Sequence, residues 1–282
     1  MRNNNSITMQ QIEDYVCYLQ TEEKAKGTIE KYRRDLNAFV RWAEKGPMSR
    51  QLAAEWKEHL LKRHYAPVTI NSMLAALNGF LHFLGLDAYK VRFLKIQRRV
   101  FRRADRELTR KDFNRLLAAA RSCRKERLSL LMETICSTGI RVSEVKYITV
   151  QAVGLGRAEI SLKGKIRTIL LPDKLCRKLL KYAKKRKIAS GEIFLTKNGT
   201  SLDRRQIWAE LKSLCAASGV EPSKVFPHNL RHLFAVAYYQ ACKDIAQLAD
   251  VLGHSSIETT RIYLMTSGEA HSRQLERLGL VS

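Results

Sequence analysis

Cysteine pairs and long apolar runs are both absent from this 282-residue chain. Its six cysteines are scattered, and none belongs to a Cys-x-x-Cys pair. The sequence therefore predicts neither a zinc site nor a disulfide framework, but reduced thiols, several of them in the core. No apolar run approaches the roughly 18 residues that a membrane-spanning helix needs, and the polar start carries no export signal. These absences favour a cytoplasmic protein that does not insert into a membrane.

Acidic residues are also scarce. The chain has 27 Asp and Glu against 51 Lys and Arg, which leaves a formal net charge of +24. Such a balance favours a polyanionic partner, nucleic acid above all, although basic surfaces also occur on ribosomal proteins and on proteins that bind anionic membranes. The carboxylates do not cluster as the ligands of a catalytic cation would, so the sequence predicts no metal site.

Two domains are expected, because 282 residues with 45% hydrophobic content can supply two ordinary cores. Residues 8 to 85 show four helical periods, whose apolar stripes can close one small bundle. The stripes begin at Ile12, Ile29, Leu52 and Ile70. The sequence therefore predicts an N-terminal four-helix bundle over residues 1–89.

A basic segment follows this bundle. Between residues 90 and 106 the apolar periodicity stops, and Asp105 is the only acidic residue. We interpret residues 90–106 as a linker, which is either a solvated connection or a strap that lies along a DNA backbone. The candidate contacts to DNA are Lys90, Arg92, Lys95, Arg98, Arg99, Arg102 and Arg103.

Residues 107–282 predict a second domain of mixed α and β structure. Helical periods follow Thr109 and lead up to Gly139, and a strongly basic helix is expected over residues 173–187. Residues 159–172 alternate between apolar and polar around a Lys-Gly-Lys turn, which predicts a β-hairpin. A short strand is expected at residues 193–195 and one helix over residues 203–218. The predicted fold class is mainly α with a small β-sheet.

Several side chains of this second domain are suited to binding phosphate. Arg141 lies in the segment Thr-Gly-Ile-Arg-Val-Ser-Glu at 138–144, where it could hold a ligand or simply pair with Glu144. A helix that begins near His228 would place Arg231 and His232 on the same face, three and four residues further on. A His-x-x-Arg spacing is weak evidence alone, since capping and core histidines are common.

The last candidates are a histidine and a tyrosine near the C-terminus. His254 follows a Leu-Gly pair, and Tyr263 comes nine residues later, where it could also be a core aromatic. Arginine offers planar donors for phosphate oxygens, histidine moves protons near neutral pH, and tyrosine can form a covalent link to phosphorus. Together these residue types are what an attack on a phosphodiester requires.

The whole series resembles the tyrosine recombinase (phage integrase) family, and in its compact layout the Xer-like members. The resemblance covers nearly the full chain and implies a SAM-like core-binding domain followed by a mixed α+β catalytic domain. It implies that Glu144 and His232 support the catalytic residues. Lys165 is expected to contact DNA, and it also competes with Lys163 for the role of the hairpin lysine. The implied catalytic residues are Arg141, Lys163, His228, Arg231, His254 and Tyr263.

The family resemblance also implies a reaction. Tyr263 would attack a DNA phosphorus and form a 3′-phosphotyrosyl intermediate, and strands would exchange through a four-way junction without a metal ion or other cofactor. The expected partner is double-stranded DNA with specific core sites, bound by a homotetramer that is a monomer when free. Two alternatives stay open: a type IB topoisomerase that nicks and reseals one duplex, and a non-catalytic DNA-binding protein of the same fold.

Overall fold

The computed structural model describes residues 7–43, 46–96, 106–162, 165–254, 256–263 and 276–277. Contacts between residues divide the chain into two compact units, Met1–Arg98 and Arg99–Ser282. Each unit has a hydrophobic core of its own.

The first unit is a helical bundle, as its apolar stripes predict. Thr8 and Ser49 mark the starts of the first and third helices, because their hydroxyl groups accept hydrogen bonds from backbone amides three residues further on. Phe39, Trp56 and Phe80, all at most 3% exposed, lie in its core. The helices are α1 (Met9–Thr21), α2 (Lys26–Trp42), α3 (Arg50–Lys62) and α4 (Pro67–Phe83), followed by a 3-10 turn at Asp87–Tyr89.

The start of the basic segment runs along this bundle. Asn71 and Asn78 on α4 each exchange two hydrogen bonds with its backbone, at Leu94 and Val91 respectively, with N···O distances of 2.7 to 3.0 Å. An asparagine can do this because its amide offers both a donor and an acceptor. These hydrogen bonds thus hold the segment to α4 from Val91 to Leu94.

The second unit is mainly helical with one two-stranded sheet, which confirms the predicted fold class. Its core surrounds α6, where Leu131, Met132 and Ile135 are at most 1% exposed. The elements are α5 (Arg110–Ser122), α6 (Glu126–Thr138), a 3-10 helix (Val142–Tyr147), α7 (Val150–Gly154), β1 (Arg157–Leu162), β2 (Lys165–Leu170), α8 (Asp173–Lys185), α9 (Arg204–Lys212), α10 (Cys215–Ser218), a 3-10 turn (Pro222–Lys224), α11 (Pro227–Cys242), α12 (Ile245–Leu252) and α13 (Ile257–Arg261).

The two strands form the antiparallel hairpin that the alternation predicts. Arg167 on β2 stands opposite Ile160 on β1 and shares its inner face. Ile166 and Leu170 point to the outer face, where they are 77% and 76% exposed. The hairpin therefore turns an arginine inward and two apolar side chains outward. Lys163, at the turn, lies outside the described residues.

The strand predicted at residues 193–195 is wrong. Glu192, just before this stretch, and Leu195, its last residue, form only isolated backbone bridges, and no ladder joins residues 193–195 to another strand. Ile193 and Phe194 are 0% and 1% exposed. The apolar run therefore reflects burial in the core of the second unit, a signal that periodicity cannot separate from a short buried strand.

The single helix predicted over residues 203–218 is also wrong, because the chain leaves the helix between α9 and α10. Ser213 stands at the break, and its hydroxyl donates to the carbonyl oxygen of Glu210 at 2.7 Å. A serine hydroxyl that bonds to a nearby backbone carbonyl competes with the regular helical pattern. The break therefore has a local cause.

The cysteines differ in part from the expectation of core thiols. All six are free, but Cys17, Cys123 and Cys242 are exposed and only Cys215 is fully buried. Cys17 lies on the outward face of α1, and Cys123 and Cys242 lie at the ends of α5 and α11, positions that a count of apolar neighbours in the sequence does not reveal. In the part of the chain that the structure describes, no helix combines the length and the hydropathy that crossing a bilayer requires.

Candidate active site

The C-terminal end of α12 is the centre of the candidate site. Gly253 follows the helix with a φ of +62°, a left-handed conformation that favours glycine. The carbonyl oxygens of Leu252 and Gly253 accept hydrogen bonds from the guanidinium groups of Arg141, Arg167 and Arg231. The last carbonyls of a helix carry partial negative charge. This helix end therefore holds the three arginines, here called the arginine cluster, close together.

Arg231 is the buried member of the arginine cluster, with 4% of its surface exposed. Its Nη2 lies 2.8 Å from the carbonyl oxygen of Leu252 and 3.0 Å from Nε2 of His254, and its Nη1 donates to the carbonyl oxygen of Gly139. Gly139 ends α6 with a φ of +64°, and a β-carbon there would lie 2.5 Å from the ring of Phe234. The glycine thus leaves room for Phe234 to pack beside the backbone whose carbonyl group binds Arg231.

Arg141 is the more exposed member. Its side chain is 37% exposed, whereas that of its partner Glu144 is 3% exposed. Glu144 receives Nη1 of Arg141 at 2.9 Å, the backbone amide of Arg141 at 2.9 Å, and Nη2 of Arg167 at 2.6 Å. The pairing with Glu144 that the sequence left as an alternative therefore exists. Since one carboxylate serves two guanidinium groups, it fixes Arg141 without cancelling the positive charge of the cluster.

Tyr263 lies just beyond α13 and is 6% exposed. Its ring is next to three imidazoles, with centroid distances of 5.8 Å to His228, 5.4 Å to His232 and 5.8 Å to His254. Burial lowers the pKa of the Arg231 guanidinium, and a side-chain hydrogen bond with Tyr263 opposes that shift. The phenol therefore stands between proton acceptors and a fixed cation.

His254 is neutral in this arrangement. Burial, together with the positive charges of Arg231 and Arg141, lowers its pKa to about 4. A guanidinium offers only donors, so Nε2 of His254 must accept from Arg231, and the ring proton must then sit on Nδ1. Nδ1 lies 2.9 Å from the hydroxyl oxygen of Thr260, which is 0% exposed. A hydroxyl can accept or donate, so Thr260 can support either tautomer of the histidine.

The sequence analysis missed two members of this site, Arg167 and Thr260. A signal for Arg167 was present, since residue 167 has the strand phase of buried Ile169 while Ile166 is exposed. A charged residue in the buried phase of a strand requires a partner. Thr260 left no such signal, because its contact depends on the turn that leads from α12 to α13.

The structure assembles most of the predicted site residues and leaves others elsewhere. Lys90 forms an ion pair with Asp87 in the first unit, where the side chains of Arg92 and Lys95 are exposed. The side chain of Lys165 is outside the description, as are Lys163, Arg98, Arg99, Arg102 and Arg103. Around α12 lie Arg141, Glu144, His228, Arg231, His232, His254 and Tyr263.

Comparisons with known proteins identify the family of this chain. The model of the phage integrase family matches residues 106–269, and that of the phage integrase N-terminal SAM-like domain matches residues 12–87. The chain is 30% identical over 280 residues to a tyrosine recombinase XerA of Thermococcus kodakarensis, covering 96% of this chain and 95% of the relative. It is also 30% identical over 290 residues to a tyrosine recombinase XerC of Roseiflexus castenholzii, covering 93% and 90%.

Solved structures share the fold. A lambda integrase tetramer bound to a Holliday junction matches with a TM-score of 0.73 at 18% identity, over 93% of this chain and 79% of that one. A XerH recombinase bound to a palindromic difH substrate matches with a TM-score of 0.72 at 18% identity, over 99% and 85%. The family match and the two sequence relatives identify an enzyme that breaks and rejoins DNA strands. The chain belongs to the phage integrase family of tyrosine recombinases, which confirms the resemblance and the enzymatic function expected from the sequence.

Proposed function

We propose that this enzyme is a site-specific recombinase in which Tyr263 attacks a DNA phosphorus held by Arg141 and Arg231. The observation that carries the proposal is the position of the Tyr263 ring, which lies among three imidazoles, and one of these, His254, is hydrogen-bonded to Arg231. A free phenol has a pKa of roughly 10 and must lose its proton to attack. A site with a proton acceptor and fixed cations next to the phenol meets that requirement.

In the proposed cleavage step one bond forms as another breaks, and one proton is accepted as another is donated. A bond forms between the phenolic oxygen of Tyr263 and phosphorus, the bond from phosphorus to the 5′ oxygen breaks, and a 3′-phosphotyrosyl link results. His228 takes the phenolic proton, and Lys163, or else Lys165, gives a proton to the departing 5′ oxygen. The new ester resembles the old one in bond energy, so the reverse attack by a 5′-hydroxyl rejoins the strand without ATP.

The arginine cluster would stabilise the charge that grows on the non-bridging oxygens. Arg141 and Arg231 present planar forks that match two oxygens at once and keep their charge at any physiological pH. Their Nη2 atoms already bond to the adjacent carbonyls of Gly253 and Leu252, which sets the spacing between the two forks. His254 would add a hydrogen bond once Arg231 turns toward phosphate and the imidazole proton moves to Nε2.

We further propose that the enzyme acts on double-stranded core sites as a homotetramer that exchanges strands through a four-way junction. The solved relatives that are tetramers on a Holliday junction, or are bound to difH substrate, support this assembly. Basic side chains of residues 90–106 would contact the DNA backbone. The six free cysteines fit the reducing cytoplasm, where we place the reaction.

The test is a nicked duplex that loses its 5′ end after cleavage, so that a covalent complex accumulates. We expect the native enzyme to form a complex that survives denaturing electrophoresis in EDTA, and Tyr263→Phe to form none, because only the hydroxyl is removed. A covalent complex with Tyr263→Phe would show that another residue is the nucleophile.

A second assay distinguishes recombination from the alternative hypothesis of a type IB topoisomerase. Two duplexes with different labels and the same core site are incubated with the enzyme. Products that combine both labels indicate strand exchange. Relaxation of supercoiled DNA without combined products would favour a nicking and resealing enzyme of the type IB class.

A further inference from the structure

Arg167 is buried where an apolar residue would be expected. It shares the inner face of the hairpin with Ile160 and Ile169, which are 2% and 4% exposed, and its own side chain is 13% exposed. Placing a cation in such an environment costs free energy unless it is paired and hydrogen-bonded. Burial lowers the pKa of Arg167 to about 10, so the group still carries its charge at neutral pH.

The partners of Arg167 belong to the candidate active site. Its Nη2 donates to Oε2 of Glu144 at 2.6 Å, and its Nη1 donates to the carbonyl oxygen of Leu252. The other carboxylate oxygen of Glu144 receives Arg141. Arg167 therefore connects β2 to the segment that carries Arg141 and to the end of α12.

The charges of this group are unequal. Arg141, Arg167 and Arg231 contribute three positive charges, and the buried Glu144 contributes one negative charge. Without Arg167, the carboxylate would face Arg141 alone, and the excess would fall from two positive charges to one. The interaction of two charges a few ångströms apart is strong in a site from which water is excluded.

Exposure separates the roles of these arginines. The Arg141 side chain is 37% exposed, while those of Arg167 and Glu144 are 13% and 3% exposed. A phosphate that approaches the site can reach Arg141, but Glu144 and Arg167 lie behind it. The charge of Arg167 thus acts on the substrate through the carboxylate.

We propose that Arg167 is a positioning residue that neutralises the buried Glu144, so that the charge of Arg141 stays available to the scissile phosphate. The proposal rests on the proposed function of Arg141 as a phosphate-binding group. It assigns no contact with substrate to Arg167. If Arg167 is lost, Arg141 alone must neutralise Glu144, so that less of its positive charge is available to the phosphate.

The decisive experiment removes the charge from both partners. Arg167→Met keeps a long side chain without charge, and Glu144→Gln keeps the shape of the carboxylate without charge. We expect Arg167→Met to slow single-turnover cleavage by about a hundredfold, comparable to the loss of one charge-stabilising donor. The double variant Arg167→Met/Glu144→Gln should recover at least about tenfold of that loss, because Arg141 then no longer has a carboxylate to neutralise.

A purely structural role for Arg167 predicts that the double variant gains no rate over Arg167→Met. Glu144 also bonds to the backbone amide of Arg141, so a second substitution in a damaged site would slow cleavage further. A double variant as slow as Arg167→Met, or slower, overturns the proposal.

A duplex whose scissile linkage is a neutral methylphosphonate gives an independent readout. Arg167→Met should slow the cleavage of this duplex by no more than about tenfold, since the neutral linkage carries no negative charge for Glu144 to repel. A full hundredfold slowing on this duplex also overturns the proposal.

Gly253→Ala tests the same idea without removing any charge. A β-carbon at Gly253 would collide with the side chain of Arg167, whereas Gly156, with a φ of +68°, has no atom near the β-carbon position. Both substitutions place a β-carbon in a left-handed backbone conformation, so their backbone strain is matched. We expect Gly253→Ala to slow cleavage at least tenfold more than Gly156→Ala, and equal rates would count against the proposal.

Two controls keep the interpretation separate from that of the proposed function. Tyr147→Phe removes the hydrogen bond from the Tyr147 hydroxyl to the carbonyl oxygen of Ser161 on β1, so it loosens the hairpin without altering the arginine cluster. It should cleave at the native rate, and a hundredfold loss would assign the effect of Arg167 to hairpin stiffness. If Tyr263→Phe forms no covalent complex and the double variant shows no recovery, only the role of Arg167 is wrong.

Discussion

The N-terminal bundle and the candidate active site use buried side chains in opposite ways. The bundle buries apolar and aromatic groups, such as Phe39, Trp56 and Phe80, whose transfer from water stabilises the fold. The site buries Glu144, which pairs with Arg141 and Arg167, and a buried ion pair contributes little net stability because its desolvation offsets its attraction. The difference teaches that the buried side chains that stabilise a fold and the buried charged side chains of a site follow different physical rules.

The largest effect is expected from Arg231→Lys. Lysine keeps the positive charge but cannot donate simultaneously to Gly139, Leu252 and His254 as the fork does. We expect covalent-complex formation to slow by roughly a hundredfold to a thousandfold, as for the loss of one oxyanion donor. Single-turnover kinetics with saturating DNA measure it. A rate within tenfold of the native one would mean that charge alone suffices.

The matching change in the bundle is Phe80→Ala. The side chain lies on α4 and is 0% exposed in the core of the bundle. Its removal leaves a cavity that should lower the stability of the bundle by roughly 3 to 5 kcal/mol. Native-state hydrogen exchange of α4 amides measures this loss. Amides of α6, in the separate core of the second unit, should keep their protection, and an equal loss there would break the division between the two regions.

A smaller effect is expected from Thr260→Val, which replaces the hydroxyl by a methyl group of similar size. The Nδ1 atom of His254 loses its partner, so the ring loses the support for its tautomer. We expect cleavage to slow by about tenfold, comparable to the net worth of one hydrogen bond, while DNA affinity stays unchanged. Nitrogen NMR shifts of the imidazole report the tautomer directly. An unchanged tautomer and rate would remove Thr260 from the site.

The pH dependence of stability follows from the same histidine. The pKa of His254 is lowered to about 4 in the folded protein from a usual value of 6.5. The unfolded chain therefore binds more protons between these values, and the contribution of His254 is complete above pH 6.5 and is lost as the pH falls toward 4. Urea unfolding at pH 7 and pH 4.5 should show a smaller fall for His254→Asn than for the native protein. Equal falls would contradict the lowered pKa.

The smallest effect concerns DNA contacts at the edge of the bundle. Arg92→Ala and Lys95→Ala remove exposed cations from the segment held by α4, and each should reduce the salt slope of DNA binding by about one. Arg33, which pairs with Glu13 at 2.6 Å, gives a control, since Arg33→Ala removes the same charge from an ion pair. Equal changes for all three variants would indicate an effect of net charge alone.

The helical bundle was predictable because an apolar stripe at helical spacing has few alternatives when it can close a core. The errors occurred where local patterns are ambiguous. Residues 193–195 are apolar because the core buries them, and Ser213 ends a helix through its own hydroxyl. The candidate site was predictable where its residues form a recognisable series, and Arg167 was missed because it stands outside that series.

The sequence by itself determined the fold class, the basic character and the order of the arginines, histidines and tyrosine along the chain, since these follow from spacing and composition. Only the tertiary structure decided that one helix end gathers Arg141, Arg167 and Arg231, and that Glu144 is shared between two of them. The physical reason is that hydrogen bonds and charge act between atoms a few ångströms apart. Residues more than a hundred positions distant along the chain become neighbours only when the backbone brings them together.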